Sequence, residues 1–253
     1  MAPHSLRAPW RPIRCARHGA ELIAVDIDGD SAQRTASECA GDAGAYTCNV
    51  ADGAAVAALA DRVESEHGPV DVLVNNAGVG VAGPFLENTL EDWAWLRGVN
   101  LDGVVHGCHI FGKRMVARGR GHVVNVASGA GYTPQSYLAT YCATKAAVIS
   151  LSQCLRADWS GSGVGVSAIC PGVINTPIPS HTRMVGSMVG KQERAQRAFR
   201  LGHSPDLVAK AIVGAVERNR EIVPVGFESA FAFRVLRFAP GAVQSVFARL
   251  QPL

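Results

Sequence analysis

Six short apolar runs with no polar alternation recur along the chain: Glu21-Leu-Ile-Ala-Val25, Ala45–Cys48, Val70–Val74, His122–Val126, Val164–Ile169 and Ile222–Val225. Runs of this length without alternation are expected of strands buried on both faces. Between them lie stretches of helical periodicity near residues 31–40, 53–67, 91–118, 135–161 and 205–219. A repeated strand-helix order predicts a parallel sheet with helices on both sides, an α/β doubly wound fold. No linker, internal repeat or low-complexity tract divides the chain, so a single domain is expected.

Composition removes several function classes. The 253 residues carry 24 Lys+Arg against 21 Asp+Glu, a net charge of +3 that gives no field for nucleic acid. The seven cysteines, Cys15 among them, are widely spaced and form no CxxC pair, which matches neither a disulfide framework nor a zinc site, and no metal is expected. No apolar run reaches the ~20 residues of a membrane span, and no export signal opens the chain. A cytoplasmic protein is expected. Two segments stand out by charge. Residues 179–203 hold Arg183, Lys191, Arg194, Arg197 and Arg200 against Glu193 alone, which reads as a mobile basic flap. Residues 229–253 hold Arg234, Arg237 and Arg249 with no acid, and Val243, Val246, Phe247 and Leu250 fall at helical spacing. This tail is expected to pack on the pocket or a neighbouring subunit, or to make a weak peripheral contact with an anionic membrane.

The residues that carry chemistry are Ser128 at a strand end, followed thirteen and seventeen positions later by Tyr141 and Lys145. Tyr141 and Lys145 are four apart and share one helical face. A neighbouring ammonium favours the phenolate and lowers a tyrosine pKa, so Tyr141 can serve as general acid/base. Ser128 can hydrogen-bond the substrate oxygen and orient it. Tyr137 has Tyr141, not a cation, at the next turn and is the poorer choice. Asp26 ends its strand where a carboxylate can bind ribose hydroxyls and repel a 2′-phosphate, and no arginine follows at once, so NAD is preferred over NADP.

These residues sit among Val-Asn75-Asn76-Ala77-Gly78, Val-Asn100-Leu-Asp-Gly and Cys170-Pro171-Gly172-Val173-Ile-Asn-Thr176. In this order and spacing the chain resembles the short-chain dehydrogenase/reductase family, from about Arg17 to about Val225. The resemblance implies a Rossmann-like fold and a catalytic tetrad of Asn100, Ser128, Tyr141 and Lys145, with Asn100 supporting a proton-relay water and Lys145 holding the nicotinamide ribose. It implies an adenine contact at Asn49 and Val50, an adenine-ribose contact at Asn76, Ala77 and Gly78, and a nicotinamide shelf of Pro171, Gly172, Val173 and Thr176. It also implies dimers or tetramers formed through the helices at 91–118 and 135–161. The segments His67–Asp71, Ala82–Phe85 and Ile169–Gly172 are similar to the reductase halves of actinobacterial proteins fused to an epoxide hydrolase, which hints at a bulky apolar alcohol or ketone substrate.

The pattern breaks at its start. The family opens with a buried strand and a Thr-Gly-x-x-x-Gly-x-Gly turn that seats the pyrophosphate on a helix N-terminus. Here the corresponding positions, about residues 2–8, read Ala-Pro-His-Ser-Leu-Arg-Ala, and Pro3, Pro9 and Pro12 oppose regular structure. The sequence therefore divides into an atypical segment 1–16, a Rossmann-like domain 17–228 with its first strand absent or replaced, and the tail 229–253. A wrong start or altered reading frame and a degenerate relative are both open, and the intact tetrad favours the former. The leading activity is an NAD-dependent exchange between secondary alcohol and ketone. The alternatives are a non-catalytic scaffold or oligomer partner on the same fold and, more distantly, a methyltransferase.

Overall fold

A computed structural model describes residues 20–39 and 43–250. The segment 1–16, and with it Cys15, lies outside the described residues. Each anticipated strand is present: β1 Leu22–Asp26, β2 Ala43–Thr47, β3 Val72–Asn75, β5 Gly121–Val126, β6 Val164–Pro171 and β8 Ile222–Val225. Two further short strands, β4 Val81–Ala82 and β7 Arg183–Met184, pair with each other. The helices are α1 Gly29–Ser37, α2 Gly53–His67, α3 Leu90–Arg97, α4 Gly103–Arg118, α5 Ala139–Asp158, α6 Gln192–Arg200, α7 Pro205–Glu217, α8 Phe227–Arg234 and α9 Gly241–Leu250.

Local chemistry explains most boundaries. Asp28 caps α1 by accepting the Asp30 N–H, Asp52 caps α2, and a reciprocal Thr89–Asp92 capping box opens α3. The helix expected from 135 begins at Ala139 instead, because Tyr137 sits at φ 65°, a left-handed conformation that no helix accommodates. The long helix expected over 91–118 is interrupted by a π-turn at Gly98–Asp102. Residues 179–203 carry β7 and α6, and Arg183 fastens the segment by pairing with Asp92 at 3.0 Å and stacking 3.7 Å over the Trp95 ring. In the tail, the Phe233 ring meets Tyr132 edge-on, and Ala248 O accepts the Ser136 N–H at 3.0 Å.

Successive residues of β5 point to opposite faces, so Val123 packs with Val56, Val104, Cys108, Phe111, Met115 and Val148, while Val124 packs with Ile169, Val208, Ile212 and Val223. Helices therefore cover both faces, as a parallel sheet requires. A buried polar chain crosses the first layer. Asn75 Nδ2 donates to Asn125 Oδ1 at 2.8 Å, Asn125 Nδ2 donates to Ser152 Oγ at 3.0 Å, and Ser152 Oγ donates to Val148 O at 2.7 Å. Every buried polar group in that chain has a partner, so it locks β3, β5 and α5 in register.

Apart from the short β4–β7 pair, the described strands form two parallel ladders rather than one: β1 with β2, and β3-β5-β6-β8. The break lies between β1 and β3, where the first strand of a doubly wound order belongs. The exposed side chains agree: Val25, Ile27, Val72 and Val74 are between 37% and 42% exposed. Asp26 O accepts the Cys48 N–H and Asp71 O accepts the His122 N–H. Alternation along each strand then turns the backbone of Ile23 and Val25, and of Val72 and Val74, toward the break. Residue-resolved deuterium exchange tests whether residues outside those described pair here: unpaired, these four amides exchange at least about a hundredfold faster than those of Val123, Val124 and Val166, and equal protection shows that the break is filled.

Candidate active site

All strands of both ladders run parallel, so their carboxyl ends collect along one edge, the edge where α/β sheets bind ligands. Asp26 ends β1, Asn49 and Val50 follow β2, Asn76–Gly78 follow β3, Ser128 follows β5 and Pro171–Thr176 follow β6. Tyr141 stands in the first turn of α5 and Lys145 one turn later.

Ser128 is extended (φ −168°) and its Oγ accepts the Ala130 N–H at 3.2 Å, which directs its own proton outward. That hydroxyl reaches the Tyr141 phenol and pulls its pKa down, but burial is the larger effect and holds the phenol above the ordinary tyrosine value. Lys145 lies over the Tyr141 ring. Its Nζ lies 5.8 Å from the Tyr141 ring centre and donates to Val126 O at 2.9 Å. Burial pushes the Lys145 amine down to about 8, so the ammonium is itself weakened, and Ser128 is the group that favours the phenolate.

Asn100 is fully buried in the π-turn and clasps one residue twice: Oδ1 accepts the Val79 N–H at 2.8 Å and Nδ2 donates to Val79 O at 3.0 Å. Its side chain thus fixes the loop after β3, the role of an amide bonded to the facing chain. π-turns recur where a helix is bent to serve a site. A Cβ placed on Gly78 would lie 3.5 Å from Asn100 Oδ1 and 3.6 Å from Lys145 Nζ, so this loop, the asparagine and the lysine meet.

The ribose and shelf residues stand apart from this cluster. Asp26 Oδ1 accepts the Asp28 N–H at 3.0 Å, and burial raises its pKa. Asn49 is exposed and its Oδ1 accepts the Ala51 N–H, while Val50 O bonds His106. Ala77 and Val173 are exposed, Pro171 is buried beneath the shelf, Gly172 donates its N–H to Val225 O, and Thr176 accepts the Ile178 N–H.

The residues present fit a nicotinamide dinucleotide at both of its ends. Asn76 Oδ1 is buried with no hydrogen-bond partner, a cost of about 1–3 kcal/mol that a bound polar group would relieve. Lys145 has donors to spare beside the glycine of the β3 loop. A pyrophosphate cradle would belong to residues outside those described. Among the described residues, no group of three His, Cys, Asp or Glu could hold a metal ion, and no helix is long and apolar enough to cross a membrane.

Parallel strands flanked by helices, with Ser, Tyr and Lys on one carboxyl edge, define a Rossmann-like protein of the α/β type. The chain belongs to the short-chain dehydrogenase family, whose sequence model matches residues 13–184. It is 43% identical over 247 residues to the probable oxidoreductase EphD of Mycobacterium tuberculosis, an alignment covering 93% of this chain and 42% of that protein. The chain thus spans less than half the length of that relative. It is 41% identical over 166 residues to the D-threitol dehydrogenase of Mycolicibacterium smegmatis, 64% of each. Among solved structures, a short-chain dehydrogenase/reductase from Burkholderia phymatum in complex with NAD superposes with a TM-score of 0.85 at 30% identity, covering 98% of this chain and 94% of that one.

Tyr132, Asn125 and the pair Glu228–Ser229 were not anticipated from the sequence. Asn125 carried a signal, a lone amide inside an apolar strand; the others contact partners too distant in sequence for any periodicity to reveal. The raised phenol pKa sets a direction of pH dependence. Carbonyl reduction needs the phenol protonated, so its kcat/KM should stay level from about pH 6 to about pH 9, while alcohol oxidation should climb over the same interval. Rates measured in both directions check this, and a reductive limb already falling below neutrality would contradict it.

Proposed function

We propose that the chain is an NAD-dependent oxidoreductase that interconverts a secondary alcohol and a ketone, on a bulky apolar substrate. The observation that carries this reading is the contact of Ser128 with the buried Tyr141 phenol at the edge where Lys145, Asn100 and the β3 loop converge. When bound, a nicotinamide dinucleotide supplies or accepts the hydride. The chain's own residues manage the proton. Ser128 holds the substrate oxygen and Tyr141 gives it a proton in reduction or takes one in oxidation. Lys145 would hold the nicotinamide ribose from its buried post beneath Val126 O. Asn100 acts as a positioning residue by fixing Val79, and the relay of protons outward passes beside it. Pro171, Gly172, Val173 and Thr176 would face the nicotinamide, while Asp26, Asn49, Val50, Asn76, Ala77 and Gly78 would hold the adenosine half.

The name of D-threitol dehydrogenase supports an alcohol substrate, though not an apolar one, since threitol is a small polyol. A homodimer or homotetramer through α4 and α5 accords with the apolar hollow between them, lined by Val105, Cys108, Leu151, Leu155 and Trp159. For the tail, the contacts of Phe233 and Ala248 with the Ser128–Tyr141 loop favour a packing role over membrane contact.

The missing glycine-rich turn at residues 2–8 favours a second reading, a non-catalytic scaffold with impaired dinucleotide binding. Tyr141→Phe separates the two. It should cut turnover at least about a thousandfold while leaving the fold and the NADH affinity within about twofold, as loss of a general acid/base does. Near-normal turnover would remove Tyr141 from the chemistry, and a parent chain inert at saturating NADH would favour the scaffold. For the cofactor, Asp26 would repel a 2′-phosphate, so Asp26→Ser should narrow the NADH-over-NADPH preference by about tenfold. An unchanged ratio of kcat/KM values would assign that preference elsewhere.

A further inference from the structure

The first turn of α8 touches both halves of the site at once. Glu228 and Ser229 are adjacent, and each bonds the backbone beside the Pro171–Gly172 turn: Ser229 Oγ donates to Cys170 O at 2.6 Å, and Glu228 Oε1 accepts the Val173 N–H at 2.8 Å. The two bonds bracket the turn from either side. On its other side Ser229 receives the loop that follows Ser128. Tyr132, four residues beyond Ser128, donates its phenol proton to Ser229 O at 2.9 Å and lies against Ser229 Oγ as well. Gly129 completes the joint, since a Cβ there would come within 3.2 Å of Ser229 Oγ and 3.4 Å of Pro171 O. A third segment is tied in by the second oxygen of Glu228, which meets His203 Nε2 at 2.8 Å. His203 also donates its backbone N–H to Val173 O and accepts the Asn175 N–H, so the excursion from Pro177 to Gly202 closes on the same point.

These contacts are built rather than incidental. Ser229 is 2% exposed, so its hydroxyl has little access to water, and its proton is given to Cys170 O within the protein. A Cβ on Gly172 would collide with the Glu228 carboxylate, which shows how closely the turn is drawn onto α8. Neither residue touches the groups that exchange the proton, and both act through backbone.

We propose that Glu228 and Ser229 are positioning residues that set the gap between the Pro171–Thr176 shelf and the Ser128–Tyr141 pair. The proposal rests on the catalytic reading above. In that reading a carbon held over the shelf must lie in line with an oxygen held at Ser128, and an error of about 1 Å in such an alignment costs about a hundredfold in rate. The latch fixes that separation by fastening both loops to one helical turn.

The test compares Glu228→Ala, Glu228→Gln, Ser229→Ala and Tyr132→Phe in the full chain by two readouts. The first needs no substrate or cofactor: amide exchange at Val173 should quicken at least about tenfold in Glu228→Ala and stay near the parent rate in Glu228→Gln, whose amide oxygen still accepts. Exchange at Gly129–Thr133 should quicken in Ser229→Ala and in Tyr132→Phe. The second is steady-state kinetics with NADH. Ser229→Ala should lower kcat at least about tenfold with the KM for NADH changed less than about threefold, and adding Tyr132→Phe should cost little more because the Ser229–Cys170 and Tyr132–Ser229 bonds lie in series, so breaking either frees the two loops from each other. Unchanged exchange at these amides overturns the latch whether or not the chain turns over. Quickened exchange with kcat unchanged per folded molecule overturns its positioning role. A parent that shows no turnover at all counts against the catalytic reading, and the exchange result then decides by itself whether the latch exists.

Discussion

A parallel strand keeps its place only when its backbone is paired along its edges and its faces are covered, and every candidate site residue here hangs from the carboxyl end of such a strand or from a helix laid on one. The two ladders meet that condition unequally. Ser128, Tyr141, Lys145, Asn100 and the Pro171–Thr176 shelf depend on the four-stranded ladder, whose middle strands β5 and β6 are paired on both sides. Asp26, Asn49 and Val50 depend on the two-stranded ladder. That smaller unit is joined to the larger one through helices: α2 packs on α4, where Arg114 bonds Glu64 at 2.8 Å and Asp61 at 2.5 Å. Among the described residues, the groups proposed for proton transfer thus hang from a larger paired unit than those proposed to bind adenosine.

Burial does much of the remaining tuning. It lifts the Tyr141 phenol, depresses the Lys145 amine to about 8 and raises the Cys170 thiol beside it to about 12, so that thiol stays protonated. Each buried polar group that is satisfied also orders backbone: Lys145 on Val126 O, Asn100 on Val79, Ser229 on Cys170 O. Asn76 Oδ1 is the exception among the site residues, buried and without a partner. That unmet acceptor is the one place among the described site residues where a further hydrogen bond would relieve a desolvation cost.

The apolar runs located every main strand, because a strand buried on both faces must be apolar throughout; Val123 and Val124, on opposite faces of β5, illustrate the rule. The spacing of Tyr141 and Lys145 placed them on one helix, but not the lysine's effect on the phenol, since that depends on which carbonyl Nζ finds and how deeply it is buried. The start of α5 falls later than the periodicity suggests because apolar spacing says nothing of the left-handed backbone at Tyr137. The Glu228–Ser229 latch was invisible for another reason. Its partners Cys170, Val173 and Tyr132 lie 55 to 97 positions away, so only the fold brings them together.

If this edge of the sheet moves a hydride and a proton together, the hydride can be followed by isotope. A single turnover with NADH deuterated at the transferring position of C4, using aryl and alicyclic ketones, should place deuterium at the carbinol carbon of the product, read by mass spectrometry. None should be transferred when Tyr141 is replaced by phenylalanine. Unlabelled ketone recovered in full from a chain saturated with the deuterated cofactor would refute the coupled transfer.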